Sequence, residues 1–235
     1  MKSQSAKTMN RILSNPMLRI ATDQRAWILA GALAAAGGRL LRRRRKRYDL
    51  RGRTVLITGG TRGLGLEIAR QAGLAGARVA ICGRDADTLA RARESLLQSG
   101  ADVLALTCDV TDRNQVAELI RSVLAGFGHI DVLINNAGLV EVGPVGVMTA
   151  VDFERDMATN FWGPLNVILA VLPHMRPMNE GRIVNIASIG GKLSVPHLVP
   201  YSSSKFALVG LSEGLRAELQ ASGILVTTVC PGLMR

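Results

Sequence analysis

The sequence predicts an α/β fold, a doubly wound parallel sheet with helices on both faces, and three observations predict it. From residue 53 onward, short runs rich in β-branched residues alternate with longer stretches of helical periodicity. Most of those runs are apolar at successive positions rather than at every second one, so both faces of the sheet must be covered. Glycines, asparagines and hydroxyl side chains interrupt the pattern at the carboxyl ends of the runs, which is where open sheets of this kind bind ligands.

The expected strands, in order, are TVLIT (Thr54 to Thr58), RVAIC (Arg78 to Cys82), DVLALTC (Asp102 to Cys108), DVLINN (Asp131 to Asn136), RIVNIAS (Arg182 to Ser188) and ILVTTVC (Ile224 to Cys230). Between them, helices are expected at Leu64 to Ala75, Ala86 to Gln98, Arg113 to Ala125, Phe153 to Met175 and Tyr201 to Ala221. Right-handed crossovers between parallel strands then wind the sheet in both directions.

Two parts differ sharply in charge. The net charge of the whole chain is +11, yet residues 1–53 carry +12 and the rest −1. The globular part is therefore nearly neutral, and with aromatic residues at 3% it offers few stacking platforms, so no nucleic-acid partner is expected. The domain expectation is a basic extension over 1–50 and one α/β domain over 51–235. Within the extension, the uncharged run AWILAGALAAAGG (Ala26 to Gly38) leads through Leu40 and Leu41 to the basic block from Arg42 to Arg47. A helix of that length covers about 20 Å, against roughly 30 Å of hydrocarbon. Two readings remain open: residues 17–47 attach to an anionic membrane surface or make a marginal span, with the basic block keeping the domain on the cytoplasmic side, or they form a disordered basic tail whose Ala-rich helix packs on protein. Cys82, Cys108 and Cys230 are far apart in sequence and lie in or beside apolar runs, which suits buried reduced thiols of a cytoplasmic protein. No histidine or cysteine grouping suggests a metal.

After the first strand the sequence reads TGGTRGLG, with Gly59, Gly63 and Gly65 opening a helix. Glycines there allow a tight turn and close backbone approach, while free N–H groups at a helix start attract a diphosphate. Near the other end of the chain, Tyr201 and Lys205 stand four apart, on one face of a helix. An ammonium beside a phenol favours phenolate, so Tyr201 could serve as acid and base near neutral pH. Ser188, at a strand end, could offer a hydroxyl to the same oxygen. Alone, such a Tyr/Lys pair is more often an ordinary feature of a helix surface.

Taken together, TGGTRGLG, Asp109, Asn135 to Gly138, Asn160, Ser188, Tyr201 with Lys205, and Pro231-Gly232 resemble the motifs of the short-chain dehydrogenase/reductase family, in their order and approximate spacing. The resemblance covers residues 51–235. It implies a Rossmann-type sheet, a nicotinamide cofactor, and an Asn160, Ser188, Tyr201 and Lys205 catalytic set. Gly59, Thr61, Arg62, Gly63, Leu64 and Gly65 would then border the cofactor, with Asp109 and Val110 near the adenine. Asn136, Ala137 and Gly138 would line it, Tyr201 and Lys205 would reach the nicotinamide ribose, and Pro231 and Gly232 would pass the carboxamide. Asn160 would bend its helix and hold a water that connects Lys205 to solvent. Homodimers or homotetramers are common in the family, built on the helices corresponding to Phe153 to Met175 and Tyr201 to Ala221.

Charge argues for NADP(H). An acidic residue commonly ends the second strand when the 2′-phosphate is absent, whereas here Gly83 stands there with Arg84 next to it and Arg62 inside the turn. Two guanidinium groups suit a phosphate monoester, although Asp85 could pair with Arg84 instead. The implied reaction interconverts an alcohol and a ketone or aldehyde. Leu139, Val140, Ile189, Leu193, Val195 and Leu198 would border the substrate, favouring an apolar one, and His129, His174 and His197 are not needed as bases. Family members continue past Pro231-Gly232 through a substrate-covering loop and helix, while this chain stops at Arg235, so a C-terminally incomplete domain is expected. The alternative that follows is a membrane-tethered NADP-binding regulatory or scaffold protein with little turnover.

Overall fold

The computed structural model describes residues 48–232, so the apolar run and basic block expected to meet a membrane lie outside the described residues. From Asp49 onward the chain forms one compact unit. Its centre is a six-stranded parallel sheet in the order β3-β2-β1-β4-β5-β6. The strands are β1 (Thr54–Thr58), β2 (Arg78–Gly83), β3 (Asp102–Thr107), β4 (Val132–Asn135), β5 (Gly181–Ile186) and β6 (Ile224–Val229). The helices are α1 (Gly63–Leu74), α2 (Ala86–Gln98), α3 (Arg113–Phe127), α4 (Ala150–Met157), α5 (Gly163–Met175) and α6 (Val199–Leu219).

The near-continuous apolar strands are buried on both faces, as the fold class requires. Leu56, Ala80, Cys82, Leu133 and Ile183 pack with Val116, Leu119 and Val123 of α3, Val167 and Val171 of α5, and Leu219 of α6. Alternate strand residues Val55, Ile57, Val79 and Ile81 are equally buried, beneath α1 and α2, which contact β1, β2 and β3. Because β1 pairs with both β2 and β4, the chain order reverses across β1 and leaves a crevice at the carboxyl ends of β1 and β4.

Capping explains where three of the helices begin. Asp85 accepts from Thr88 N at 2.8 Å to start α2, and Asp112 accepts from Asn114 N at 2.8 Å to start α3. At the start of α4, Asp152 Oδ2 accepts from Thr149 N at 2.7 Å and from Thr149 Oγ1 at 2.9 Å. Helix α1 differs: its N-cap, Arg62, makes no side-chain capping bond, so the first-turn N–H groups point into the crevice without a side-chain acceptor from the cap.

Two expected elements are corrected. The single helix expected from Phe153 to Met175 begins at Ala150 and is interrupted by a π turn over Ala158–Trp162, in which Gly163 N–H reaches back to Ala158 O. The physical cause is Pro164, which has no N–H to return to the carbonyl four residues earlier and whose ring would crowd it. The fourth strand is shorter than DVLINN because Asp131 serves another purpose. Its carboxylate, 4% exposed, accepts from Thr54 N at 2.7 Å and pairs with Arg53 at 2.7 Å and His129 at 2.9 Å, tying the starts of β1 and β4 together.

Candidate active site

At the end of β1 the chain turns through Gly59 (φ +64°) and Gly63 (φ +53°), both in the left-handed region where a side chain would be strained. Gly65 is required for a different reason: a β-carbon there would lie 2.2 Å from Gly59 O and 2.4 Å from Asn136 Nδ2. Helix α1 therefore starts flush against the turn. The end of β4 locks this arrangement. Asn136 Nδ2 donates to Gly59 O at 2.9 Å and Thr58 O at 3.2 Å, while Thr58 Oγ1 accepts from Asn136 N and Ala137 N at 3.0 and 3.1 Å.

A cavity of about 590 Å³ opens over this turn. Gly59, Thr61, Arg62, Gly63, Leu64, Gly65, Arg84, Asp109, Val110, Asn136, Ala137 and Gly138 all line it, which brings twelve of the expected cofactor residues to one place. Thr61 covers Gly83 closely, since a β-carbon on Gly83 would meet Thr61 Cγ2 at 2.6 Å. Gly83 thus sends no side chain into the cavity, and Asp85, which lines it two residues on, is held as the α2 cap. Arg84 does not pair with Asp85, which is engaged as the α2 cap; its guanidinium lies 3.8 Å from Asp109. Asp109 also accepts from Thr111 N at 2.9 Å.

Sequence reasoning missed Cys82, Asp85, Thr88, Cys108 and Thr159 as lining residues. Their signal was positional only: Cys82, Asp85 and Cys108 lie at or just beyond a strand end and Thr159 precedes Asn160, while Thr88, on the first turn of α2, carried none. Cys82 and Cys108 are free and buried, as expected, whereas Cys230 is half-buried. The neighbouring Cys108 thiol and burial push Cys82 up from its usual value, while Cys82 draws Cys108 down against the opposing effect of burial.

Tyr201, Lys205, Pro231 and Gly232 do not line this cavity. Gly138 connects the two groups, because a β-carbon there would lie 3.3 Å from Asn160 Oδ1 and 3.6 Å from Lys205 Nζ. Lys205 is 4% exposed, donates to Ile186 O at 3.0 Å and sits 5.8 Å from the Tyr201 ring centre. Burial lowers its pKa to about 8, against the opposing pull of Asp156 and Cys230. Ser188 and Tyr201 meet at another glycine, Gly190, whose β-carbon would stand 3.4 Å from Ser188 Oγ and 3.2 Å from Tyr201 Cε1. Ser188 Oγ accepts from Gly190 N at 3.0 Å. Pro231 O accepts from Ile189 N at 2.9 Å, which places the β6 exit beside the Ser188 loop.

Asn160 lies inside the π turn and is fully buried. Its Oδ1 accepts from Leu139 N at 2.9 Å, and its Nδ2 donates to Leu139 O at 2.8 Å and Ser204 Oγ at 3.0 Å. The amide therefore clamps the chain leaving β4 against α6. A second buried relay, Asn135 to Asn185 at 2.9 Å and Asn185 to Ser212 at 2.8 Å, runs from β4 through β5 to the same helix. Among the described residues no grouping could hold a metal ion, and no helix is long and apolar enough to cross a membrane.

Comparison with known proteins agrees with this fold. A profile of the family described as short chain dehydrogenase matches residues 53–235. Dehydrogenase/reductase SDR family protein 7-like of Anopheles gambiae is 38% identical over 199 residues, and the match spans 82% of this chain but only 62% of that protein. Among solved structures, actinorhodin polyketide ketoreductase with NADPH superposes with a TM-score of 0.77 at 39% identity, over 78% of this chain and 71% of that one. NAD+-bound xylitol dehydrogenase superposes with a TM-score of 0.78 at 33% identity, over 80% of this chain and 73% of the other. Matched by the family profile from residue 53 to residue 235, this chain belongs to the short-chain dehydrogenase/reductase family.

Proposed function

We propose that the protein is an NADP(H)-dependent oxidoreductase that interconverts an alcohol and a ketone or aldehyde, with residues 51–235 as the working domain and 1–50 as an extension. The observation that carries this reading is the convergence of two glycine-centred pairs. Ser188 and Tyr201 flank Gly190, and Asn160 and Lys205 flank Gly138, which itself lines the cavity over the glycine turn.

The residues present fit a dinucleotide. Gly59 and Gly65 leave bare backbone where a β-carbon would collide with its neighbours, and α1 begins without a side-chain cap, so its N–H groups can take a diphosphate. Arg62 and Arg84 share the cavity with Gly83, where an acid would repel a 2′-phosphate. Arg84 is 70% exposed on its side chain and can turn from Asp109 toward a phosphate. The ketoreductase that superposes here was solved with NADPH, which supports this choice, whereas the xylitol dehydrogenase holds NAD+.

The bound nicotinamide would exchange hydride with the substrate carbon. Tyr201 would donate or accept the proton at the substrate oxygen, with Ser188 as the second hydrogen-bond donor to it. Such acid–base assistance contributes about two to four orders of magnitude. Lys205 would keep positive charge near the phenol and grip the ribose, and Asn160 would hold Leu139 and Ser204 so that Lys205 stays in place. Val140 on the segment after β4, and Ile189, Leu193 and Val195 on the segment after β5, are exposed apolar side chains, which favours an apolar carbonyl compound. Trp162 at the end of the π turn, Leu169 on α5 and Phe206 on α6 are large exposed side chains, and support pairing of those helices between two copies.

A panel of ketones and aldehydes assayed with NADPH and NADH in parallel tests the reading. It requires cofactor oxidation with at least one apolar carbonyl compound and a preference for NADPH. Tight NADPH binding without turnover of any panel member would contradict it.

A further inference from the structure

We propose that Asp156 is a positioning residue of this site: from one turn before Asn160 it reinforces the direction of the Asn160 amide and acts as the buried counter-charge of Lys205. The inference rests on the reductase reading for its role in turnover, but its structural content stands apart from that reading. Asp156 is completely buried, on the last turn of α4. A carboxylate withdrawn from water needs hydrogen bonds and an opposite charge, and lacks them only at considerable cost.

Its hydrogen bonds are few and long. One oxygen accepts from Asn160 Nδ2 at 3.4 Å and the other from Glu141 N at 3.4 Å. The opposite charge comes from Lys205, which lies on α6, the helix against which α4 packs. Asn160 stands between the two. Its NH2 faces Asp156, Leu139 O and Ser204, so its carbonyl oxygen faces the Gly138 side, where Lys205 Nζ also points. Reversing the amide would set its oxygen against the carboxylate and its N–H groups toward the ammonium. Leu139 N–H and Leu139 O already hold the amide in this sense, at 2.9 and 2.8 Å, and Asp156 adds to it, so that the Asn160 dipole and the Lys205 charge agree.

The charged groups around Asp156 are Glu141 on the segment after β4, Asp152 on its own helix, and Lys205 on α6. Glu141 is itself 3.8 Å from Arg155. Burial pushes the Asp156 carboxyl up to about 6, Glu141 and Asp152 push in the same direction, and Lys205 opposes them. Burial takes Lys205 down to about 8, with Asp156 the first charge holding it up. Between those values carboxylate and ammonium coexist, and removing the carboxylate must lower the pH at which Lys205 loses its proton.

The lysine titration reads this directly, without turnover. The chain contains five lysines, Lys2, Lys7, Lys46, Lys192 and Lys205, so 13Cε-lysine labelling of the full chain gives a short spectrum in which Lys205→Met identifies the Lys205 signal. The expected result is a Lys205 midpoint near 8 with a minor inflection near 6. Asp156→Asn should remove the inflection and lower the midpoint by about one unit or more, and Asp156→Glu should restore both. Should Asp156→Asn fail to fold, Glu141→Gln serves instead, moving the minor inflection to lower pH while leaving the Lys205 midpoint in place. Unchanged Lys205 titration in Asp156→Asn, or an immobile inflection in Glu141→Gln, overturns the inference. An inactive chain whose Lys205 midpoint still depends on Asp156 would sink the reductase reading and leave this one intact.

Discussion

Asn160 and Lys205, on different helical segments, close on the same backbone position: a β-carbon on Gly138 would lie 3.3 Å from the amide oxygen and 3.6 Å from the ammonium nitrogen. Gly138 also lines the cavity over the glycine turn, so the absence of a side chain there joins the two halves of the site.

Gly138→Ala should therefore separate fold from function. The two contacts are tight but polar and able to yield, so the melting temperature should change little, by about 4–8 °C at most. Turnover should fall at least tenfold as Asn160 and Lys205 shift apart. Steady-state kinetics beside a thermal melt checks this, and unchanged kinetics would mean that the two residues do not act together.

Gly65→Ala meets backbone rather than flexible side chains, at 2.2 Å from Gly59 O. The turn and the start of α1 must move, at a cost of about 1–3 kcal/mol. NADPH affinity should drop more than tenfold, as read by fluorescence titration, while the sheet itself persists.

Arg62→Ala and Arg84→Ala should weaken NADPH binding and leave NADH binding nearly unchanged. Each loses a charge-assisted contact worth roughly 1.5–3 kcal/mol, or about ten- to a hundredfold in affinity. Equal losses for the two cofactors would argue against a 2′-phosphate site at the end of β2.

Asp156 should also leave a signature in stability. Its folded pKa, about 6, lies above the ordinary carboxylate value of 3.8, so between those values the folded state holds more protons than the unfolded one. Stability contributed by the neutral form is present at low pH and is lost as pH rises through 6, by about 3 kcal/mol in all. Asp112, Asp85 and Asp152 act in the opposite sense, since cap and backbone hydrogen bonds lower them and their contribution is lost as pH falls. Urea unfolding at about pH 4.5 and 6.5 should show Asp156→Asn gaining on the parent chain as pH rises, and a constant difference would count against the buried ionised carboxylate.

Much of the architecture was legible because strand burial on both faces leaves a plain mark in the sequence. TVLIT is β1 residue for residue, and Ala86 to Gln98 is α2. The cavity residues were legible for a related reason: glycine turns and strand-end asparagines are needed for their backbone geometry, which the motif spacing carries. What escaped was set by tertiary contact. Nothing local shows that Asp131 turns inward to accept Thr54 N–H, or that Asp156 is buried beneath α6 while Asp152, four residues earlier, remains a surface cap. Pro164 was visible, but the π turn that accommodates it also depends on Gly163, whose β-carbon would strike Val110 Cγ2 at 2.7 Å.

The central claim is that the Tyr201 hydroxyl is the proton donor to a carbonyl oxygen, and Tyr201→Phe removes that oxygen and nothing else. NADPH affinity and rate of carbonyl reduction, measured on the same preparation, should show binding within about threefold of the parent and turnover lower by about two to four orders of magnitude. Turnover equal to the parent's would contradict the assignment.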